Sequence, residues 1–227
     1  MTVHQNIESP SAQRGPYAFS ESLVTLSEPT GRGAEYIRAL RTHIMAQHVE
    51  AGRRALAICE AAPKLGATFV ATNLAVALAQ AGVKTLLIDG NLRSPTLQYV
   101  IRPARETTGL RECLSTGAVT PGDYVQNDIL PNLSVMLGGG TAHNAQELLA
   151  RASFEQMINA CLRDFTMTIV DTPPANSCAD ALRLASVAGY SLIVSRRNRG
   201  LVSDTKVLAG QLRANHSSLL GAVMNDG

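Results

Sequence analysis

Apolar positions divide most of the chain into short continuous runs that alternate with stripes at helical spacing. The continuous runs predict strands at residues 55–61, 85–89, 133–137, 166–171, 191–195 and 219–225. The stripes predict helices at about residues 34–49, 68–80, 110–115, 145–162, 179–188 and 203–214. Apolar strands separated by helices form parallel sheets that are covered on both faces. The predicted fold class is therefore α/β, an open doubly wound, mostly parallel sheet flanked by helices.

The first part of the chain lacks this periodicity. It contains scattered Ser, Pro, Gly and Thr, which favour irregular chain over packed elements. We predict a flexible N-terminal arm over residues 1–30, with a short extended piece at residues 22–26. One domain is then predicted over residues 31–227, without an internal repeat.

The composition is that of a folded domain with no strong charge bias. Of the 227 residues, 45% are apolar and 17% are charged, and the formal net charge is +2. No block of Lys or Arg appears, so the charge does not favour a nucleic-acid partner. The four cysteines form no CxxC pair and no zinc-binding spacing, which fits a reducing compartment. The spacing of His43 and His48 would not align them as ligands on a helix, and we predict both on the surface.

The sequence also bears on the cellular location. No charged segment followed by an apolar run stands at the N-terminus, and no stretch approaches the roughly 20 apolar residues of a membrane helix. We predict a cytoplasmic chain without direct membrane insertion. If it acts at the plasma membrane, a partner must recruit it to the inner face.

The segment after the first predicted strand has the setting of a phosphate-binding loop, namely a strand, a tight loop and a helix N-terminus. The pattern for such a loop is GxxxxGK[ST]. Gly66 fits the last glycine, and Thr68 fits the hydroxyl that holds Mg²⁺. Ala61 stands in place of the first glycine, and Ala67 stands in place of the lysine. Taken alone, this match is weak.

Carboxylates end two further predicted strands. Asp89 ends the strand at 85–89, and Asp171 ends the strand at 166–171. The carboxyl ends of parallel strands form the ligand-binding edge of such a sheet, where carboxylates hold hydrated Mg²⁺ beside phosphates. Each Asp alone is equally consistent with a cap or a turn. Together with Thr68, they predict a magnesium site.

In combination these motifs resemble those of the cytoplasmic bacterial tyrosine kinases of exopolysaccharide synthesis, which have a P-loop NTPase-like domain. Their phosphate loop and following helix, S-x-P-G-E-G-K-S-T-x-x-x-N-L-A, are similar to residues 61–75. Their motifs L-L-I-D-x-D-L-R-x-P, D-x-P-P and E-x-x-R-x-x-R are similar to residues 86–95, 171–174 and 35–41. The resemblance covers about residues 34–226. The chain is more distantly similar to plasmid-partitioning and septum-positioning ATPases.

The resemblance implies a set of roles. It implies Mg-ATP or Mg-ADP as ligand, with Thr68, Asp89 and Asp171 at the metal. It also implies docking on the cytoplasmic tail of a membrane polysaccharide co-polymerase. The nucleotide-binding positions would be Ala61, Pro63, Lys64, Leu65, Gly66, Ala67, Thr68 and Asn225.

The E-x-x-R-x-x-R motif places Glu35, Arg38 and Arg41 along one side of a helix. The resemblance implies that these residues join subunits of a ring-shaped homo-oligomer. The alternative is a solvated helix face whose charges pair with one another, at about 0.2–0.5 kcal/mol per pair. The completeness of the motif favours the oligomer.

Three departures from the family pattern affect the chemistry. Ala67 removes the lysine that supplies a cation to the phosphates. Lys64 and Leu65 replace Gly-Glu, and a lysine at positive φ costs about 1–2 kcal/mol unless the loop has another shape. Asn91 replaces the second Asp of L-L-I-D-x-D and cannot accept a proton from an attacking hydroxyl. The tyrosines are dispersed and not clustered.

Several changes in one reaction centre predict that catalysis is lost, with Asp89 and Asp171 vestigial, and they put nucleotide binding in doubt. The leading hypothesis is a non-catalytic regulatory or assembly component of exopolysaccharide synthesis and export. An alternative is an active ATP-dependent tyrosine autokinase or ATPase in which Lys64 replaces the missing lysine. A partitioning-type ATPase ranks last, because Ala62 and Ala67 remove both lysines that its mechanism uses.

Overall fold

The computed structural model describes residues 13–14 and 16–226 of the chain. The strands are β1 (Gln13–Arg14), β2 (Tyr17–Phe19), β3 (Ala55–Glu60), β4 (Thr85–Asp89), β5 (Ile101–Pro103), β6 (Gln126–Leu130), β7 (Leu133–Met136), β8 (Met167–Asp171), β9 (Tyr190–Arg196) and β10 (Ser218–Asn225). The helices are α1 (Val24–Ser27), α2 (Arg32–Ile44), α3 (Ala67–Gln80), α4 (Leu97–Val100), α5 (Leu110–Thr116), α6 (Ala145–Ala150), α7 (Ala152–Asp164), α8 (Asp180–Ala188) and α9 (Val202–Ala214).

The main sheet confirms the predicted fold class. Its strand order is β10-β9-β3-β8-β4-β7-β6, and every neighbouring pair is parallel except β6 with β7 at one edge. Every residue of β3, β4, β7 and β8 is buried, as expected for strands covered on both faces. The register pairs Asp89 with Asp171, so both carboxylates leave the sheet at the same edge.

Helix α3 packs against the central strands of this sheet, and its first residues belong to the candidate functional site. It is rich in Ala, Leu and Val, and its side chains are buried on nearly every side. Such a helix belongs in the core and not at the surface. None of the described helices is long and apolar enough to cross a membrane.

Residues 16–30 differ from the predicted arm. Strand β2 pairs with the distant β5 in a small antiparallel sheet, and Phe19 and Leu23 are buried in the core beside α3. The predicted extended piece at 22–26 is wrong, because Val24–Ser27 is a helical turn. Two apolar side chains give no periodic signal, and a pairing across about eighty residues is invisible locally. Residues 1–12 and 15, also part of that prediction, lie outside the described residues.

Two predicted helices are interrupted. The stripe at 145–162 forms α6 and α7, because Arg151 adopts an extended backbone between them. The break lets α6 pack against α5 and α8 while α7 packs beside β8. The stripe at 34–49 forms α2 and then a π-helical turn at Met45–Val49.

The surface prediction is wrong for His48. His43 is exposed, whereas His48 in the π-helical turn is fully buried. Its Nε2 lies 2.9 Å from the carbonyl oxygen of Ala55, and its ring meets the Tyr190 ring edge-on. Burial lowers the pKa of His48. The polar contact with β3 explains how a histidine is accommodated in the core.

Candidate functional site

The loop between β3 and α3 keeps the tight path of a phosphate-binding loop. Lys64 has φ of +68° and Gly66 has φ of +109°. A Cβ on Gly66 would collide with Nδ2 of Asn225, which donates a hydrogen bond to the carbonyl oxygen of Leu65 at 3.2 Å. Only glycine fits at position 66, and the end of β10 closes the loop from one side. The positive φ expected for Lys64 is therefore present, with its cost of about 1–2 kcal/mol.

Glu60, which is not among the predicted site residues, has its side chain at the centre of this loop. Glu60 is the last residue of β3, and its side chain turns into the loop. Its Oε2 accepts hydrogen bonds from the backbone N–H groups of Leu65, Gly66 and Ala67, at 3.0, 2.9 and 3.2 Å. Successive backbone N–H groups at a helix N-terminus are the groups that bind phosphate in such loops. Here they bind a carboxylate of the same chain.

The remaining loop positions divide between the core and the surface. Ala61, Leu65 and Ala67 are buried, whereas Pro63 and Lys64 are exposed. Leu65 packs in the cluster between the sheet and helices α8 and α9. The Glu60 carboxylate, and not the Leu65 side chain, therefore occupies the space at the loop's N–H groups.

The predicted metal residues do come together at the ends of β4 and β8. The Thr68 hydroxyl donates to Oδ2 of Asp171 at 2.7 Å. Oδ1 of Asp171 is buried and has no hydrogen-bond partner within the described residues. Asp89 is held differently, because it accepts hydrogen bonds from the backbone N–H groups of Asn91, Thr96 and Leu97.

Burial disfavours the charged form of both carboxylates, and the charge of Asp89 adds to this effect at Asp171. Burial, and then the charge of Asp89, hold the pKa of Asp171 well above its ordinary value. Burial raises the pKa of Asp89 to about 6, although three backbone donors act in the opposite direction. Burial also raises the pKa of Glu60, against the effect of the loop's N–H groups. Carboxylates without a nearby cation are costly to ionise in such a place.

The two parts of the site differ in how they fit the implied ligand. Two carboxylates and a hydroxyl are the oxygen ligands that Mg²⁺ prefers, and the unpartnered Oδ1 of Asp171 suits a cation. No larger cluster of His, Cys, Asp or Glu among the described residues could hold a metal ion. The phosphate part does not fit, because the Glu60 carboxylate holds the N–H groups that a phosphate needs.

Comparisons with known proteins agree with the sequence motifs. No family model matches the chain. Tyrosine-protein kinase CpsD of Streptococcus agalactiae is 32% identical over 191 residues, which are 84% of this chain and 82% of CpsD. Tyrosine-protein kinase YwqD of Bacillus subtilis is 31% identical over 207 residues, 91% of this chain and 86% of YwqD. This chain belongs to the bacterial tyrosine kinase family.

Solved structures of the family superimpose well. The kinase domain of the Escherichia coli tyrosine kinase ETK has a TM-score of 0.85 at 27% identity, over 94% of this chain and 82% of that one. The chimerical protein CapA2B2 has a TM-score of 0.82 at 30% identity, over 91% and 90%. The cell division ATPase MinD of Pyrococcus furiosus, at 23% identity and a TM-score of 0.66, shares the fold. Some relatives are longer, and the chain spans 28% of two of them.

The family's L-R-x-P segment is structural in this chain. Nε of Arg93 donates to Oδ2 of Asp180 at 2.7 Å, which ties the end of β4 to the first residue of α8. The side-chain oxygen of Asn91 accepts a hydrogen bond from the backbone N–H of Ser94 and closes the turn between them. The amide at position 91 therefore serves the loop's shape. It has no proton-accepting chemistry to offer.

The E-x-x-R-x-x-R residues lie on α2, away from the loop. Arg38 pairs with the exposed Glu35 at 2.6 Å and also donates to the carbonyl oxygen of Pro29. Nε of Arg41 is buried and has no partner within the described residues. Among the described residues, therefore, Glu35 and Arg38 pair with each other and Nε of Arg41 has no partner.

A single sequence signal could have identified Glu60. It is a charged residue inside a run, 55–61, that is otherwise apolar and predicts a buried strand. A carboxylate is almost never fully buried unless it is paired or hydrogen-bonded. Because Glu60 stands directly before a turn that presents backbone N–H groups, those groups are its expected hydrogen-bond partners.

Proposed function

We propose that this chain is a non-catalytic regulatory or assembly component of exopolysaccharide synthesis and export, of the capsule, biofilm or holdfast type. The observation that carries the proposal is Ala67. It stands where a P-loop has its lysine, within a loop that otherwise keeps the P-loop path. The family membership supplies the context.

The altered residues act on the same reaction. The methyl group of Ala67 offers no charge to a phosphate, and losing one transition-state donor commonly costs about 10²–10³ in rate. Asn91 replaces the carboxylate that would accept the hydroxyl proton, and its oxygen is already used by Ser94. Because these effects fall on one centre, we infer that the chain does not transfer phosphate.

The partner we propose is the cytoplasmic tail of a membrane polysaccharide co-polymerase, which recruits the chain to the inner face of the plasma membrane. Support comes from the family, whose members compared above are tyrosine-protein kinases and share the fold over nearly the whole chain. An intact fold beside an altered reaction centre suits a protein that is used for its contacts.

We further propose a homo-oligomer formed through α2. Glu35 is exposed and its bridge to Arg38 is worth at most about 1 kcal/mol, so exchanging it for a contact between subunits costs little. Arg41 has a buried Nε that lacks a partner in the described residues, and a neighbouring subunit's carboxylate would supply one.

A second candidate is an active autokinase with an unconventional P-loop. The hydrogen bond between Thr68 and Asp171 favours it, because this part of the magnesium site is retained. Lys64 would then have to supply the missing cation from its exposed position beside the loop. A partitioning-type ATPase remains the weakest candidate, since relatives of that type at 23% identity share only the fold.

The test combines turnover and binding. ADP formation from Mg-ATP and phosphotyrosine on the chain are measured at high protein concentration, with and without the co-polymerase tail, for the wild type and for Asp171→Ala. We expect both proteins to give the same background rate and the tail to retain the wild type in a pull-down. Turnover above that of Asp171→Ala would support the autokinase. Failure of the tail to retain the chain would contradict the proposed partner.

The oligomer has its own test. Mass photometry of the wild type should show assemblies larger than the monomer, and Arg41→Glu should show monomer alone. Exposed Arg105 offers a matched control, because Arg105→Glu makes the same charge change away from α2. Equal assembly in all three proteins would contradict the role of α2.

A further inference from the structure

We propose that the carboxylate of Glu60 takes the place of a nucleotide phosphate in the β3–α3 loop and holds the loop in its anion-bound shape without any ligand. The inference deepens the proposed function and rests on it for one consequence, namely that the protein assembles independently of nucleotide. The occupation of the loop itself stands on geometry alone.

The geometry is that of an anion in a nest of N–H groups. One oxygen, Oε2 of Glu60, receives all three hydrogen bonds, from Leu65 at 3.0 Å, Gly66 at 2.9 Å and Ala67 at 3.2 Å. The donors are consecutive and end on the first residue of the fourteen-residue helix α3, where the helix dipole favours negative charge. An oxygen at this point is placed as a phosphate oxygen would be.

A simple helix cap does not account for this arrangement. A capping side chain comes from the residue directly before the helix and satisfies one or two donors. Glu60 comes from the end of β3, before the loop begins, and reaches all three donors while only 7% exposed. Removing a carboxylate from water on this scale is unfavourable unless its charge is compensated. The three N–H groups offset part of that cost, and Glu60 in turn satisfies three backbone donors of the loop.

The same carboxylate excludes an incoming phosphate. A phosphate oxygen and Oε2 would need the same three N–H groups, so one must leave before the other binds. Both groups are negatively charged and repel each other. The charge of Glu60 already contributes to the raised pKa of Asp171. In a P-loop with its lysine, a cation would oppose this repulsion, whereas position 67 offers a methyl group.

The loop therefore needs no ligand to keep its shape. The N–H groups that would be unsatisfied in an empty P-loop are bonded to Glu60, and Gly66 is locked against Asn225 at the end of β10. A nucleotide that cannot bind in the loop cannot shift the protein between conformations. We infer that surfaces next to the loop are presented to partners continuously.

The decisive experiment is isothermal titration with pyrophosphate and with Mg-ADP. It compares the wild type, Glu60→Ser, the double variant Glu60→Ser/Ala67→Lys, and Glu50→Ser as a control at an exposed glutamate. We expect no binding by the wild type or the control up to millimolar ligand. Glu60→Ser should bind pyrophosphate at least about tenfold more tightly than the wild type does. The double variant should bind Mg-ADP more tightly than Glu60→Ser does.

Several results would overturn the inference. One is a wild type that binds Mg-ADP as tightly as Glu60→Ser does. Another is a folded double variant that binds neither ligand, because Glu60 would then not be what excludes phosphate. A wild type that binds Mg-ADP without turning over ATP would overturn this inference and leave the proposed function standing. Turnover by the wild type would overturn both.

Hydrogen exchange keeps the inference testable if the Glu60 variants fail to fold. In the ligand-free wild type, the N–H groups of Leu65, Gly66 and Ala67 should exchange slowly, because Glu60 accepts all three. Adding pyrophosphate should leave their exchange unchanged. Fast exchange that pyrophosphate slows would show an open loop and would contradict the proposal.

Discussion

The phosphate loop and the carboxylate edge, formed by Asp89 and Asp171, lie side by side in this site but differ in how their polar groups are satisfied. In the loop, the N–H groups of residues 65–67 are bonded to Glu60. At the edge, Oδ1 of Asp171 has no partner within the described residues. Burial raises the pKa of Asp89, and burial together with the charge of Asp89 raises the pKa of Asp171. The backbone donors of the loop are thus satisfied from within the chain, whereas Oδ1 of Asp171 is not satisfied within the described residues.

The difference shows which groups the fold can supply from within. An anion-binding loop can be satisfied by any well-placed carboxylate of the chain. A pair of carboxylates needs a cation, and no ion pair in the described part of the chain reaches Asp89 or Asp171. The unsatisfied polar atom of this site therefore lies at the carboxylate edge and not in the loop.

The largest effect should come from removing the loop's internal anion. Glu60→Ala leaves three N–H groups without their acceptor, two of them on buried residues. We expect the free energy of unfolding in urea to fall by about 2–4 kcal/mol. The exposed control Glu50→Ala should change it by less than about 0.5 kcal/mol. Similar values for both variants would mean that water replaces Glu60 without loss.

The carboxylate edge should show its cost as a dependence on pH. The native pKa of Asp89, about 6, lies above its ordinary value, and that of Asp171 is raised well above. Between the ordinary and the raised values, the native state holds protons that the unfolded state has released. Stability contributed by these groups is therefore complete at low pH and is lost as the pH rises through the native pKa values.

Asp171→Asn isolates this term, because its amide oxygen still accepts from Thr68 while the charge is gone. Measured in urea with a chelator, the variant should match the wild type near pH 4. It should be more stable than the wild type by about 1–3 kcal/mol above pH 7. The control Asp123→Asn, at an exposed position, should show no such growth. A difference that does not vary with pH would count against this account.

A smaller effect should follow from the carboxylate that does have a cation. Arg93→Ala leaves Asp180, 3% exposed, without its guanidinium at the start of α8. We expect a loss of about 1–2 kcal/mol in urea unfolding, reduced by the favourable helix N-terminus. The bridge between Arg197 and Asp226 is exposed on both sides, so Arg197→Ala should cost under about 0.5 kcal/mol. Equal losses would show that burial of Asp180 does not matter.

The sheet was predictable from the sequence because its strands are buried on both faces and read as continuous apolar runs. The carboxylates were predictable for the same reason, since Asp89 and Asp171 each end such a run and the register then pairs them. The pairing of β2 with β5 was not predictable, because its signal is divided between two distant, short and half-polar segments.

Within the site, the sequence indicated which loop residues depart from the family pattern but not which group the loop's N–H groups bind. The group that these N–H groups bind depends on the side-chain conformation of Glu60, whose carboxylate turns from the end of β3 into the loop. The same limit applies to His48, whose burial depends on a carbonyl oxygen of β3. In both cases a polar side chain looks exposed by type and is buried because the fold provides its partner.

The smallest effect should come from the loop's exposed lysine. Lys64 holds φ of +68° without the freedom of glycine, so Lys64→Gly should raise the free energy of unfolding by about 0.5–1 kcal/mol. Asn198, with φ of +60°, is the matched control, because asparagine tolerates this region and Asn198→Gly should gain less. The same variant separates the two functions. If Lys64 served as the missing cation, Lys64→Gly would weaken Mg-ADP binding, whereas a loop held by Glu60 predicts higher stability and no change in binding.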